Sequence, residues 1–408
     1  MTSSFTWMDY SEQQKRQMLD VVDLFKEQDT RDELGVGVIR DAFSDLLFPG
    51  TGTMQTRARY FLFIPWIYAD LEQREVCSAE AAGRARRVEV ALIDSLAKAH
   101  PGRGEGVIGV SAREDLQRLP SNIYWLGLET WGIRRFRGSQ DRYHRSLDRY
   151  YLARPWSRSA EETEAAEDPP SNWHGGVPEP SSNFPDKVSF NLTVAEARYL
   201  RERIMARVPH SLLAFLVDKG RPGDEAAFPW EHPLVGDFPS ETRTQLVHGR
   251  NFSEVLHGAA LLYNLMLAES AKREELVSQY RTSLKRWLDN LRARRRELLG
   301  WDHRQFWRIV LRDAHARVAH PTRAFIEQWL ELALDRSSLL RIGSNNRARR
   351  LIRLREKSLK GTLARLENRR ALELWNGEAG TAQMDFRWSP TNRIVEDILA
   401  GLRGDRHA

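Results

Sequence analysis

The sequence predicts a mainly α, multi-domain helical protein, and three observations carry that prediction. Apolar residues recur at three- and four-residue intervals along most of the chain, while strand-like alternation is scarce. A hydrophobic content of 41%, with 13 Trp and 16 Phe in 408 residues, supplies apolar mass for more than one core. Helix-start signals also precede several apolar stripes, with Ser or Thr followed three residues later by Glu.

Residues 9–29 read as an amphipathic helix with Met18, Val21, Val22 and Phe25 on one side. Thr30 and Glu33 have capping-box spacing for the next helix, in which Val36, Ile39, Phe43, Leu46 and Leu47 form one stripe. Phe48, Pro49 and Gly50 end it, and Thr53 is placed to cap a helix running to about Pro65. Residues 79–99 are strongly helical. Ser111 and Glu114 mark a further start, Pro120 breaks that helix, and Ser121 opens another that ends at Gly132. The basic run IRRFR, residues 133–137, reads as extended, so helix, turn, helix and tail follow in the order of a winged-helix unit. Residues 154–187 combine an acidic run with Pro169, Pro170, Pro178, Pro180 and Pro185, the composition of a mobile linker. Helices resume over 194–208, 211–218 and from 253 onward, and a basic C-terminal helix is expected to end near Gly377. The resulting organisation is an N-terminal helical domain over 1–153 with helix–turn–helix-like units, a linker over 154–187, a helical domain over 188–340 and a basic segment over 341–408.

Composition narrows the class of partner. A single cysteine, Cys77, excludes an intramolecular disulfide and a Cys-based zinc site, and fits a reducing cytoplasm. The longest apolar run, residues 60–69, is half of a bilayer-spanning helix, so no membrane association is expected. The formal charge of +6 rests mostly on Arg, which suits bidentate phosphate recognition. Basic residues concentrate at 341–370, where only Glu356 and Glu367 oppose them. A solvated helix face or a nucleic-acid footprint both explain such a cluster.

Three groups of side chains are candidates for nucleic-acid contact. In the turn after Phe48, Gln55, Thr56 and Arg59 share one face of the expected helix, with Thr53 at its start. Arg57 points elsewhere, within reach of Asp41 or Asp45. The second unit offers Asn122 on its helix and Arg134, Arg135 and Arg137 on its tail, while Trp125 and Trp131 are assigned to the core. The C-terminal cluster offers Arg349, Arg350, Arg353, Lys360 and Arg369, whose phosphate contacts would be sequence-independent.

No cofactor, catalytic group or metal site is assigned. Asp41 and Asp45, one turn apart with Asp32 and Glu33 upstream, would suit a metal-dependent nuclease, but ion pairs to Arg40, Arg57 or Arg59 explain the same residues without any metal and are the favoured reading. Glu254 and His257 have the spacing of a di-iron ligand pair without a second pair to complete it.

The stretches DELGVGVIRDAFSDLLFPGTGTMQTRARYFLFIPWIY, SNIYWLGLETWGIRRFRGSQDRYHRSL and FSEVLHGAALLYNLMLAE resemble a bacterial family of uncharacterised proteins whose domain covers nearly the full chain. That resemblance implies no catalytic residues and associates the chain loosely with antiphage defence loci encoding helicases and nucleases. The expected function is therefore a non-enzymatic DNA-binding component of a multi-protein bacterial assembly, with duplex DNA as ligand. A metal-dependent nuclease, or a scaffold whose basic helix docks an acidic protein, are the alternatives.

Overall fold

The computed structural model describes residues 32–100, 106–110, 116–159 and 171–404, with side chains of the fifth helix described up to residue 153. Helix 9–29 and the Thr30 and Ser111/Glu114 caps lie outside the described residues. The helices are α1 (Gly37–Leu47), α2 (Tyr60–Gln73), α3 (Ser78–Ala99), α4 (Pro120–Thr130), α5 (Gln140–Ser159), α6 (Val194–Arg207), α7 (Leu212–Lys219), α8 (Ser240–Ser270), α9 (Glu274–Ala293), α10 (Arg295–Leu299), α11 (His303–Arg308), α12 (His320–Leu334), α13 (Arg336–Leu340), α14 (Asn346–Lys360), α15 (Arg369–Glu373) and α16 (Trp388–Arg403). Among the described residues there is no strand, only an isolated antiparallel bridge between Arg134 and Trp173. No described helix is long and apolar enough to cross a membrane.

Packing groups the chain into two compact units, each built from segments distant in sequence. The first holds the described residues 32–42 together with 248–384. Its core forms around the later part of α8. On α9, Val277, Tyr280, Leu284, Trp287 and Leu291 fall on one stripe and are buried. Trp329 of α12 donates its indole N–H to the Val255 carbonyl at 2.9 Å. A polar network joins α8 to α14 and the segment before α1. The Glu356 carboxylate accepts from the Tyr263 hydroxyl and from the amides of Arg365 and Leu366, and Lys360 bonds Glu33.

Gly258 of α8 is where Trp287 of α9 lies closest, and any Cβ at 258 would fall inside the indole ring's van der Waals envelope. The ring cannot withdraw without breaking its own hydrogen bond to the Glu254 carbonyl, at 2.7 Å. Gly258→Ala gains about 1 kcal/mol in helix propensity against an overpacking cost of about 1–3 kcal/mol. A lower urea midpoint, followed by circular dichroism, is the expected result; an unchanged or raised midpoint would show that the ring can move.

The second unit holds the described residues of 43–247 together with 385–404. At its centre α2 is apolar all round and buried along most of its length, with Pro65 inside the helix. Phe61 stacks on Trp131 at 3.8 Å between centroids, and α16 packs on α6, where Gly401 lets the helices approach at Ala197. The Pro-rich stretch expected to be a mobile linker packs from residue 171 onward. Trp173 is buried, the Pro178 carbonyl accepts from the Trp66 indole at 2.6 Å, and Phe184 lies against Phe63 and Trp66.

Two helix boundaries differ from the sequence expectation for a shared physical reason. α2 starts at Tyr60, not Thr53, because tertiary acceptors capture the preceding amides: Thr56 and Arg57 donate to the Tyr124 hydroxyl at 2.8 and 3.1 Å, and Ala58 to Asp397 at 2.8 Å. The basic C-terminal helix stops at Lys360, since Gly361 adopts φ +55° and Glu356 takes the amides of Arg365 and Leu366. Lys360, Arg365 and Arg369 therefore sit on a helix end, a turn and a separate short helix, not on one continuous face.

Candidate nucleic-acid interface

The basic tail after α4 takes its shape from the way that helix ends. Gly132 donates to the Glu129 carbonyl and Ile133 to the Leu128 carbonyl, both at 2.9 Å, so the last turn closes on a glycine with φ +65°. A Cβ at Gly132 would be strained by that φ and would stand 2.7 Å from Nη2 of Arg203 and 3.1 Å from Cδ of Arg207. The glycine thus lets two arginines of α6 close on the turn.

Residues 133–137 are then held extended by the segment around Trp173. Arg135 and Phe136 donate their amides to the Asn172 carbonyl at 2.8 and 3.2 Å, and the His174 amide donates to the Ile133 carbonyl at 2.8 Å. Extended backbone sends successive side chains to opposite sides. Arg134 is buried, Phe136 half-buried, and Arg135 and Arg137 exposed. Arg134 stacks on Trp125, 4.5 Å from the ring centroid, and donates to the carbonyls of Trp125, Phe136 and Gly138 and to Glu129. It holds the tail together from inside and is almost wholly shielded from solvent.

Arg135 and Arg137 meet Arg203 and Arg207 around a cleft of about 690 Å³, which Glu129, Gly132, Arg134 and His174 complete. Arg203 and Arg207 are one turn apart on α6 and therefore share a face. Arg203 is fixed by its Nε, which donates to the Trp131 carbonyl at 3.1 Å, leaving its terminal nitrogens toward His174. Among the described residues Glu129 is the one carboxylate lining the cleft, and it is paired with Arg134. Arg135, Arg137, Arg203 and Arg207 have no carboxylate partner among the described residues.

His174 carries an unresolved demand within this cleft. Its Nδ1 faces the Gly176 amide at 3.1 Å, and its Nε2 faces Nη1 of Arg203 at 3.0 Å. Burial first, then the positive charges of Arg203 and Arg135, hold its pKa below the usual histidine value. A neutral imidazole accepts at one nitrogen only, so the ring serves one of these donors at a time, and the Tyr199 hydroxyl also lies 3.4 Å from Nδ1.

The other sequence candidates are mostly committed inside the fold. Gln55 is buried, donating to the Gly50 carbonyl at 3.2 Å, and Thr56 donates its hydroxyl to the Gly106 carbonyl at 2.7 Å. Arg59 pairs with Glu196 at 2.7 Å and bonds the Ser189 carbonyl at 2.9 Å. Asn122 caps α4 through the Leu119 amide at 2.9 Å and donates to Gln140. Arg57 meets neither Asp41 nor Asp45. It forms a two-pronged pair with Asp397, at 2.7 and 2.9 Å, and lies over Phe190. Thr53 is exposed with no polar partner among the described residues. In the first unit, Arg349 pairs with Glu269, Lys360 with Glu33 and Glu356, and Arg369 with Glu373. Arg350 and Arg353 are exposed and have no ion pair among the described residues.

The acidic candidates are likewise engaged. Asp32 accepts from the Val36 amide at 2.7 Å and from that of Gly37, Glu33 pairs with Lys360 and Arg365, Asp41 with Arg40, and Asp45 with Arg387. Glu254 binds Arg250 and Arg294, and His257 faces the Thr381 carbonyl at 3.0 Å.

Sequence reasoning missed His174, Arg203 and Arg207. The i, i+4 spacing of the two arginines is the one local signal; their meeting with the α4 tail depends on the bridge at Trp173.

Neither the curated proteins nor the solved structures contain a match to this chain. A family model described as "Family of unknown function (DUF6361)" matches residues 2–401. The chain therefore belongs to that family, which spans both of its compact units.

Proposed function

We propose that this protein is a non-enzymatic DNA-binding component of a multi-protein bacterial assembly, with the arginine cleft of the second unit as its phosphate-binding surface. One observation carries the reading: Arg135, Arg137, Arg203 and Arg207 converge without a carboxylate partner among the described residues. Uncompensated guanidinium groups on one surface bind a polyanion by releasing its condensed counterions. In this reading α4 and its extended tail serve as the helix and arm of a winged-helix-like unit. Arg350 and Arg353 of α14 add sequence-independent phosphate binding from the first unit. The antiphage assembly, with its helicase or nuclease partners, rests on the family resemblance alone.

Fluorescence anisotropy with a labelled duplex tests this. Neutralising four phosphates implies an affinity loss of about 100-fold between 50 and 200 mM salt. Replacing Arg135, Arg137, Arg203 and Arg207 together by Ala should remove most of that salt dependence, about 0.9 in log–log slope for each phosphate that is no longer neutralised. Salt-insensitive binding, or an unchanged slope in the variant, would refute the assignment. A carboxylate-rich protein could fill the same cleft; a partner that stays bound after nuclease digestion would favour that scaffold reading.

A further inference from the structure

We infer that the cleft is a receptor for a single phosphomonoester dianion, the terminal phosphate of a nucleic-acid strand or of a nucleotide, seated between Arg203 and His174. The inference rests on the reading of this cleft as a phosphate-binding surface and goes further by specifying which kind of phosphate it takes.

Three observations point to a dianion held by its phosphoryl oxygens alone. First, Arg203 is pre-positioned: its Nε is spent on the Trp131 carbonyl, so it meets a ligand with little reorganisation of its planar fork. Second, when His174 Nδ1 accepts from the Gly176 amide, its Nε2 carries the proton beside Nη1 of Arg203, and an oxyanion there would accept from both N–H groups. Third, every described side chain lining the cleft is charged or imidazole, Gly132 having none, so among the described residues there is no apolar wall for a base or sugar. Recognition is confined to the phosphate, and the remainder of the ligand stays outside.

Charge favours a monoester over an internal diester. Among the described residues the sole carboxylate lining the cleft is paired with Arg134, so no other described carboxylate there offsets the four remaining guanidinium groups. A terminal phosphate brings nearly two charges to one point, whereas a diester brings one. Gly132 contributes space, since a Cβ there would push directly against Arg203 and Arg207.

The test uses the full chain and five probes: a hairpin duplex with a 5′-phosphate, the same hairpin with a 5′-hydroxyl, a closed dumbbell duplex without ends, AMP and GMP. The expected result is at least tenfold tighter binding of the phosphorylated hairpin, lost in Arg203→Ala and weakened in Arg207→Ala, whose side chain is exposed and whose loss leaves the fold intact. Thermal midpoints of both variants control for folding. Competition by AMP and GMP at equal concentrations supports the same chemistry, and if the hairpins are then indistinguishable it assigns the ligand to free nucleotides. Equal binding of both hairpins with no competition by either nucleotide overturns the inference. In that event, salt-dependent dumbbell binding would leave the broader DNA-binding proposal standing. Nucleotide binding without any dumbbell binding would overturn that proposal and keep this one.

Discussion

Replacing Glu89 by Gln should flatten the fall in stability that the native protein undergoes between about pH 5 and 8. Glu89 of α3 is fully buried, and its carboxylate accepts from the Ser121 amide at 2.9 Å and the Ser121 hydroxyl at 2.7 Å at the start of α4. Burial pushes its pKa up to about 7 from the ordinary 4.5, and the Ser121 hydrogen bonds only partly offset this. A raised folded-state value means the native protein binds the proton more tightly than the unfolded chain. The stabilisation is therefore complete below pH 4.5 and lost as pH rises through about 7. A shift of that size corresponds to about 3 kcal/mol. Glutamine mimics the protonated acid at every pH, so the variant should match the native protein near pH 5 and exceed it near pH 8. Glu72, also raised mainly by burial, contributes a slope of the same sign in both proteins. Parallel pH profiles of the thermal midpoint would show that Glu89 titrates normally.

Arg134→Ala should cost about 3 kcal/mol, because it leaves several carbonyl groups without their donor inside the fold. The guanidinium supplies Trp125, Phe136 and Gly138 at once, a task that requires a rigid planar fork. Arg134→Lys should therefore rescue little of the loss. The Glu129 partner is 38% exposed, so its stranded charge adds little to the cost. Urea denaturation of both variants measures the effect. A loss under about 1 kcal/mol, accompanied by a selective fall in duplex binding, would instead identify Arg134 as a residue that touches the ligand.

Where local signals decide an element, the sequence reading and the structure agree. The helix read over 79–99 is α3, and those read over 194–208 and 211–218 are α6 and α7 to within a residue or so. The start of α2 was illegible because the amides just before it are claimed by a hydroxyl and a carboxylate far away in the chain. α16 was read only as part of the basic C-terminal segment, although Ile394, Val395, Ile398 and Leu399 form a buried stripe at helical spacing. At the site, Arg135 and Arg137 were visible in the basic run, but the burial of Arg134 beside them depends on Trp173 and Asn172, which lie in a stretch that composition marks as a linker. The 341–370 cluster looked uncompensated in sequence because Glu33, Glu269 and Glu331, which pair with four of its basic residues, come from other segments.

The pairing of Arg57 with Asp397 has a consequence for the order in which the chain can mature on a ribosome. The partners are 340 residues apart, and the first unit's main segment, 248–384, is synthesised between them. The second unit cannot seal the amides before α2, or seat α16 against α6, until the whole of that segment has been made. Any chain interrupted within 248–384 would present the apolar flank of α6 and an unpaired Arg57, the marks by which quality control recognises an unfinished product. Nesting one unit's sequence inside the other's thus makes completion of the second a readout that the first has been synthesised.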